Sequence, residues 1–325
     1  SLRAERQGRA ALAPTGGIMR LLVVGTGGIG GYFGACFAVH GHDVTFLARG
    51  AHLAALRAHG LTVESAVAPA RVAVKATDDP AEGGRPDAIL MCTKLADLEA
   101  AARQIAPLSD GAMVVTLQNG VDAPSIVGRH VSAARIAPGV AHIAATIKAP
   151  GVIAHTGTMA KLRVGTVPGG PPVEEIDALV AAGRACGIDI ERVDDVERTL
   201  WEKFVFLVAL SGLTCLSRQP IGVVRDDPDL RATLLAAMTE VAAVGRARGV
   251  ALPADFAERQ LAFVDALPPQ MRSSMLNDLA AGRRLEAPWL AGAVVRMAAE
   301  ACVEAPVNRT VYAALKPYLD GARPA

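Results

Sequence analysis

An α/β N-terminal domain of the doubly wound type, followed by an all-α C-terminal domain, is the architecture this 325-residue sequence predicts. Three observations predict it. Short apolar runs suited to strands buried on both faces alternate with helical segments through the first part of the chain. One strand-to-helix joint reads Gly25-Thr26-Gly27-Gly28-Ile29-Gly30, a G-x-G-x-x-G pattern. From Asp194 onward strand patterns vanish, and helical segments separated by prolines take over.

The first unit spans residues 20 to 49. Leu21 to Val24 is a buried strand, a helix follows over about Gly28 to His40, and Val44 to Leu47 is the second strand. The three motif glycines serve different physical ends. Gly25 permits the tight turn, Gly27 lets backbone approach a pyrophosphate, and Gly30 lets the helix pack closely on the strand. The intervening Thr26, Gly28 and Ile29 complete the loop, and the helix N-terminus offers free N–H groups to phosphates. A Rossmann-type dinucleotide site is therefore expected. The end of the second strand selects the dinucleotide. A carboxylate there accepts the ribose 2′-hydroxyl in NAD sites, but this chain has Ala48 and Arg49, and Asp43 lies at the strand's other end. A guanidinium grips a 2′-phosphate, so NADPH is favoured over NADH. The alternative is a solvated arginine opening the next helix.

Further along, a helix over 51–59, strands over 61–64 and 71–75, a strand over 87–93, a helix over 95–106, a strand over 112–117 and a helix near 122–128 continue the alternation. In such sheets ligands sit beyond the carboxyl ends of the strands, which places Thr93-Lys94 and Gln118-Asn119-Gly120 near the cofactor. Residues 135 to 167 have β-branched residues and turn glycines, and read as antiparallel strands extending the sheet edge. A helix over 173–186 and a strand over 188–193 complete the domain. Helices are expected near 196–217, 229–248, 254–266, 273–283, 289–303 and 307–319, with prolines at their starts. The division is thus 1–18 as an extension outside the fold, 19–193 as the NADP-binding domain and 194–325 as the helical domain.

Bulk properties narrow the function. Lys+Arg 33 against Asp+Glu 32 gives no electrostatic case for nucleic acid or an anionic membrane. Five scattered cysteines, never in C-x-x-C, suggest neither a disulfide framework nor a zinc site, and His40 and His42 have no third ligand. A reducing, cytoplasmic setting fits. The most apolar run, Phe204 to Leu216, reads as a buried helix too short to span a bilayer. The apolar faces of the helical half suit a homodimer, although a monomer buries such faces too.

A nicotinamide enzyme needs a proton donor for the oxygen that gains charge. Lys203, in Trp201-Glu202-Lys203-Phe204, precedes a run that must be buried, so it either snorkels outward or stands in a cleft with a lowered pKa. Periodicity alone favours snorkelling. Ser273-Ser274-Met275 suits a helix cap, and Glu286 suits pairing with Arg283-Arg284. Taken together these residues carry a resemblance. Gly25-x-Gly27-x-x-Gly30, Cys92-Thr93-Lys94, Gln118-Asn119-Gly120, Trp201-x-Lys203 and Ser273-Ser274-Met275-x-x-Asp278, with Glu286 beyond, resemble ketopantoate reductase in that family's order, over about Arg20 to Leu319.

The resemblance implies NADPH-dependent reduction of 2-dehydropantoate to pantoate, on the way to pantothenate and coenzyme A. It implies Lys203 as general acid, with Glu286 holding lysine and substrate and contributing to the cofactor side. Ser274 would hydrogen-bond the substrate's carboxylate end, Asn119 would bridge nicotinamide ribose and substrate, and Lys94 would line the cofactor side. Arg49 falls where the family's 2′-phosphate arginine lies. One departure touches the substrate: the family often has asparagines four and eight residues past the lysine, where this chain has Leu207 and Ser211. A more apolar pocket suits another 2-oxo acid. A non-catalytic NADP(H) sensor and a 3-hydroxyacid or polyol-phosphate dehydrogenase are the competing readings; a sensor needs none of Lys203, Asn119, Ser274 and Glu286.

Overall fold

The structure, a computed structural model, describes residues 17–321. Of the extension expected over 1–18, only Gly17 and Ile18 are described; the rest lies outside. The chain forms two compact units. Among the described residues, the first holds those up to Thr93, Asp97–Gln118 and Val127–Asp194. The second holds Lys94–Ala96, Asn119–Ile126 and the described residues from Asp195 on.

In the first unit, strands β1 (Arg20–Val24), β2 (Asp43–Leu47), β6 (Ala88–Met91) and β7 (Met113–Thr116) form the centre. All four residues of β6 and of β7 are buried, because helices cover both faces of the sheet. Those helices include α1 (Gly28–Val39), α2 (Gly50–His59), α3 (Leu95–Ile105) and α5 (Val173–Ala185); the short α4 (Ala123–Val127) belongs all but its last residue to the second unit. The remaining strands are β3 (Leu61–Glu64), β4 (Ala70–Val72), β5 (Lys75–Thr77), β8 (Ile136–Ala149), β9 (Val152–Val164) and β10 (Asp189–Arg192). The sheet runs β4-β3-β9-β8-β7-β6-β1-β2-β5, with β10 beside β9. From β5 to β8 every pairing is parallel. The strand order reverses at β1, which has β2 on one side and β6 on the other. That is the switch point where doubly wound sheets bind ligands.

The antiparallel extension expected over 135–167 is the long β8–β9 hairpin. The strand expected over 71–75 is instead two, β4 and β5, at opposite ends of the sheet path. β4 pairs antiparallel with β3 and β5 parallel with β2. Five consecutive residues, Arg71-Val72-Ala73-Val74-Lys75, alternate around one small alanine and carry no mark of the break at Ala73–Val74.

The second unit is helical: α6 (Val196–Ser217), α7 (Ile221–Asp226), α8 (Pro228–Ala247), α9 (Phe256–Asp265), α10 (Ser274–Ala280), α11 (Ala291–Glu300) and α12 (Pro306–Leu315). Helix α7 has six residues, too few to show a period, and went unread in the sequence. Helix α6 is its axis. Asp195 caps it by accepting the Arg198 N–H at 2.9 Å, and Arg218 closes it in the left-handed region at φ 58°. At 22 residues, with a mean hydropathy of 1.5 in its most apolar window, the whole helix is long and apolar enough to cross a bilayer, although its run Phe204 to Leu216 alone is not. Burial identifies it instead: 67% of that window is inside the fold, with Trp201, Phe204, Val205 and Val208 in the core.

A buried carboxylate ties α8 to α12. Glu240 accepts the Val307 N–H at 2.8 Å and the Asn308 N–H at 2.9 Å, and the Asn308 side-chain amide at 2.7 Å. It thus caps the orphan donors of α12 from another helix. Glu240→Ala leaves those donors buried and unanswered. The expected loss is about 2–4 kcal/mol of unfolding free energy, read by denaturant titration.

Candidate active site

The glycine loop lies in the first unit. Gly25 has φ +95°, and a Cβ on it would come within 2.8 Å of the Thr93 nitrogen. A Cβ on Gly30 would sit 2.3 Å from the Gly25 oxygen. Around Gly27 there is open space, with nothing within 4 Å of that position. Two glycines are therefore demanded by packing, and the one between them leaves room for a ligand. Gly27 is also the N-cap of α1 and contributes no side-chain cap to the helix's first N–H groups. This fits a pyrophosphate. Gly28 was unexplained by the motif; a Cβ there would meet the Ala145 carbonyl oxygen at 2.0 Å, because β8 crosses the start of α1. The loop is hung from β2: the Gly25 and Thr26 N–H groups and the Thr26 hydroxyl all donate to the Leu47 carbonyl. Ile29 is packed partly against the core of this unit.

Arg49 is the N-cap of α2, directly past β2, and its side chain is 79% exposed. Its only described partner is Asp97, at 3.3 Å. An exposed arginine at this point is free to turn to a 2′-phosphate. Gln118 holds the ends of β6 and β7 together, donating to the Met91 carbonyl at 2.9 Å and the Thr93 carbonyl at 3.3 Å.

The polar cluster lies in the second unit, and the two short crossings that leave β6 and β7 belong to it. Lys203 projects from α6 and donates to Asn119 Oδ1 at 3.0 Å. The Asn119 amide reaches Glu286 Oε2 at 3.5 Å, and Glu286 Oε1 accepts the Leu95 N–H at 3.3 Å. Glu286 is 7% exposed. It follows α10 in a tight turn, and the left-handed Gly120 lies against that same turn, within contact of the Trp289 carbonyl. Lys94 donates to Asp278 Oδ2 at 2.9 Å, and Arg283 Nε donates to Asp278 Oδ1 at 2.8 Å.

Charge follows geometry here. Burial pulls the Lys203 ammonium down from the ordinary lysine range to about 8, and the Glu286 carboxylate pulls part of the way back. Burial also favours the neutral form of Lys94, but the Glu286 and Asp278 carboxylates together outweigh it and hold Lys94 above the usual value. Two lysines on one carboxylate are thereby split, one poised to release a proton and one fixed as a cation.

The structure brings Lys203, Asn119 and Glu286 together and sets Lys94 beside Asp278. Glu286 does not pair with Arg283-Arg284, as its neighbourhood in sequence suggested; Arg283 binds Asp278 instead. The cap of α10 is Ser273, whose hydroxyl accepts the Leu276 N–H at 3.0 Å and bonds the Thr214 hydroxyl at 2.9 Å. Ser274 is left exposed at the first position of that helix, free to meet a ligand. Leu207 and Ser211 follow Lys203 by one and two turns and are both buried. The Ser211 hydroxyl has no hydrogen-bond partner among the described residues. The sequence named Asp278 only within a motif and offered Arg283 to Glu286; their pairing with each other went unread, although an acidic residue and an arginine in one short helix-and-turn segment were a visible signal.

Comparison with known proteins accounts for this combination. The family model for "Ketopantoate reductase PanE/ApbA" matches residues 21–169, and that for its C-terminal region matches residues 195–319. The 2-dehydropantoate 2-reductase of Halobacterium salinarum is 32% identical over 299 residues, covering 90% of this chain and 96% of its own. Among solved structures, the PanE/ApbA family ketopantoate reductase of Ralstonia eutropha superposes with a TM-score of 0.83 at 30% identity, covering 92% of this chain and 98% of its own. D-mandelate dehydrogenase with NADH and anilino(oxo)acetate shares the fold, with a TM-score of 0.83 at 18% identity, covering 92% of this chain and 97% of its own. With both halves matched in order, the chain belongs to the ketopantoate reductase family of oxidoreductases.

Proposed function

We propose that this protein reduces 2-dehydropantoate to pantoate with NADPH, with Lys203 as the general acid. The observation that carries the reading is Lys203: half-buried, fixed on Asn119 and titrating at about 8. The nicotinamide, when bound, supplies the hydride that reduces C2 of the 2-oxo acid. The residues of this chain do the rest. The Lys203 ammonium donates a hydrogen bond to the C2 oxygen, polarises the carbonyl and releases its proton as charge builds there. Asn119 fixes where that ammonium points, and Glu286 keeps it charged and accepts from a substrate hydroxyl. Ser274 donates to the substrate carboxylate. On the cofactor side, the open backbone at Gly27 and the first N–H groups of α1 take the pyrophosphate. Thr26, Gly28 and Ile29 shape that loop, Arg49 takes the 2′-phosphate and Lys94 adds positive charge.

A second reading rests on Leu207 and Ser211. A buried leucine and an unanswered hydroxyl one and two turns beyond the acid favour a different, more apolar 2-oxo acid with the same chemistry. Loss of reduced-nicotinamide absorbance by the pure protein, offered 2-dehydropantoate and a panel of 2-oxo acids with NADPH and with NADH, tests both readings. Preference for 2-dehydropantoate with NADPH is the expected result. Preference for another acid moves the substrate and keeps the mechanism. Tight dinucleotide binding with no turnover of any acid overturns both in favour of a sensor.

The cofactor preference has its own variant. Arg49→Ala should weaken NADPH binding about tenfold or more and leave NADH within about twofold, since only one of them carries the phosphate a guanidinium grips. Dissociation constants from nicotinamide fluorescence decide it; equal loss for both dinucleotides removes Arg49 from the 2′-phosphate.

A further inference from the structure

A second cavity, of about 550 Å³, lies within the helical unit where the ends of three helices meet. Arg218 enters it from the end of α6, Leu279, Ala280 and Arg283 from α10 and the turn after it, and Pro317 and Tyr318 from the turn after α12. The two turns are tied together, since the Leu285 N–H donates to the Leu319 carbonyl at 2.9 Å. Lys203, Asn119, Glu286, Ser274 and Lys94 do not line this cavity; of the groups in the polar cluster only Arg283 does.

The lining holds two guanidiniums and no acidic residue. Arg218 makes no hydrogen bond or ion pair among the described residues. Its guanidinium lies over the Tyr318 ring instead, 5.3 Å from the centroid. Stacking fixes the plane of the fork and leaves the N–H groups, which lie in that plane, available. Arg283 uses only its Nε, on Asp278 Oδ1 at 2.8 Å, so its Nη groups have no partner among the described residues. Other arginines of this unit do meet carboxylates: Arg231 pairs with Asp265, Arg248 with Glu300 and Arg296 with Asp122.

The backbone adds an independent observation. Among the described residues only Arg218 and Cys302 have positive φ without being glycine, and Arg218 stands at 58°. Glycine takes that conformation at a helix end without strain, and arginine does not. A cation does complement the C-terminal end of α6, but any position in the last turn would serve for that. What the left-handed position supplies is an arginine stacked on Tyr318 at the mouth of the cavity.

Two forks with no carboxylate between them suit a doubly charged anion. A phosphate monoester carries nearly two negative charges at neutral pH and three strong acceptor oxygens. Leu279, Ala280 and Pro317 give the remaining wall an apolar surface, and the volume is that of a small-molecule site. We propose that this cavity binds the phosphate monoester of a small organic molecule, with the phosphate on Arg218 and Arg283 and the organic part on the apolar wall.

Calorimetric titration of the full chain in phosphate-free buffer tests this, with NADPH at saturation so that the glycine loop is filled. The probes are inorganic phosphate and phenyl phosphate. Phenyl phosphate is expected to bind about fivefold or more tightly than inorganic phosphate, because its ring leaves water. Arg218→Asn keeps a residue that tolerates left-handed backbone, and it should weaken phenyl phosphate about tenfold or more through loss of one fork. Tyr318→Leu removes the stacking surface and should weaken it about threefold. If the asparagine variant fails to fold, Arg218→Lys decides in its place; it keeps the charge without the fork and should bind about three- to tenfold more weakly. Wild type that binds no phenyl phosphate overturns the inference, as does equal affinity for the two probes. Binding undiminished in both the Arg218 and Tyr318 variants puts the anion elsewhere on the chain and overturns it too. A wild type that does not bind NADPH sinks only the reading of the glycine loop, and the Arg218 comparison still decides this site.

Discussion

Lys203→Ala is expected to lower turnover by roughly 10²–10⁴-fold, the range a positioned general acid contributes, with the dissociation constant of NADPH within a few-fold of wild type. The separation follows from where the residue sits. Lys203 belongs to the helical unit and the glycine loop to the other, so removing the ammonium leaves the loop's fold intact. The pH dependence carries a definite sign. A group that must donate a proton during reduction has to be protonated in the free enzyme, and Lys203 titrates at about 8. The kcat/KM for oxo-acid reduction is therefore flat below that pH and falls tenfold per unit above it. An ordinary lysine would place the fall more than two units higher. Steady-state rates from acid to alkaline pH settle the assignment. Unchanged turnover in the alanine variant, or a wild-type profile with no fall near pH 8, removes Lys203 from the chemistry.

Much of this was legible in the chain because each feature is local. The strand, glycine turn and helix of residues 20 to 49 are set by hydrophobic period and by backbone conformations that only glycine adopts without strain, such as Gly25 at φ +95°. Lys203 was legible as a polar exception in an apolar helix, but its partners were not. Asn119 and Glu286 lie 84 and 167 residues from their contacts in the cluster, and no periodicity reports such distances. Which serine caps α10 was hidden for a similar reason: Ser273 and Ser274 are adjacent and chemically alike, and it is Ser273 that meets the Thr214 hydroxyl from α6. The demand for glycine at position 28 was not legible, because the strand that crowds it contributes the Ala145 carbonyl from far along the chain.

Glu286→Gln is the variant that separates charge from shape. Glutamine fills the same space and still accepts the Leu95 N–H, so the turn that carries it should keep its conformation. What disappears is the negative charge, which acts on two lysines. It is the influence that holds Lys203 up against burial, and the first-ranked carboxylate influence on Lys94. With it gone, burial is the dominant influence on Lys203 and its pKa falls below about 8. The alkaline limb of kcat/KM therefore moves toward neutral pH, the opposite of what a general loss of stability produces. At neutral pH the expected loss is about 10- to 100-fold, combining a smaller protonated fraction with a weaker hold on the substrate hydroxyl. Such a buried charge acts strongly because little water screens it: Glu286 is 7% exposed. A pH–rate profile of the variant beside wild type reads the effect directly. A limb that stays near pH 8 while turnover falls would assign Glu286 to substrate contact alone, leaving the Lys203 pKa to burial and Asn119.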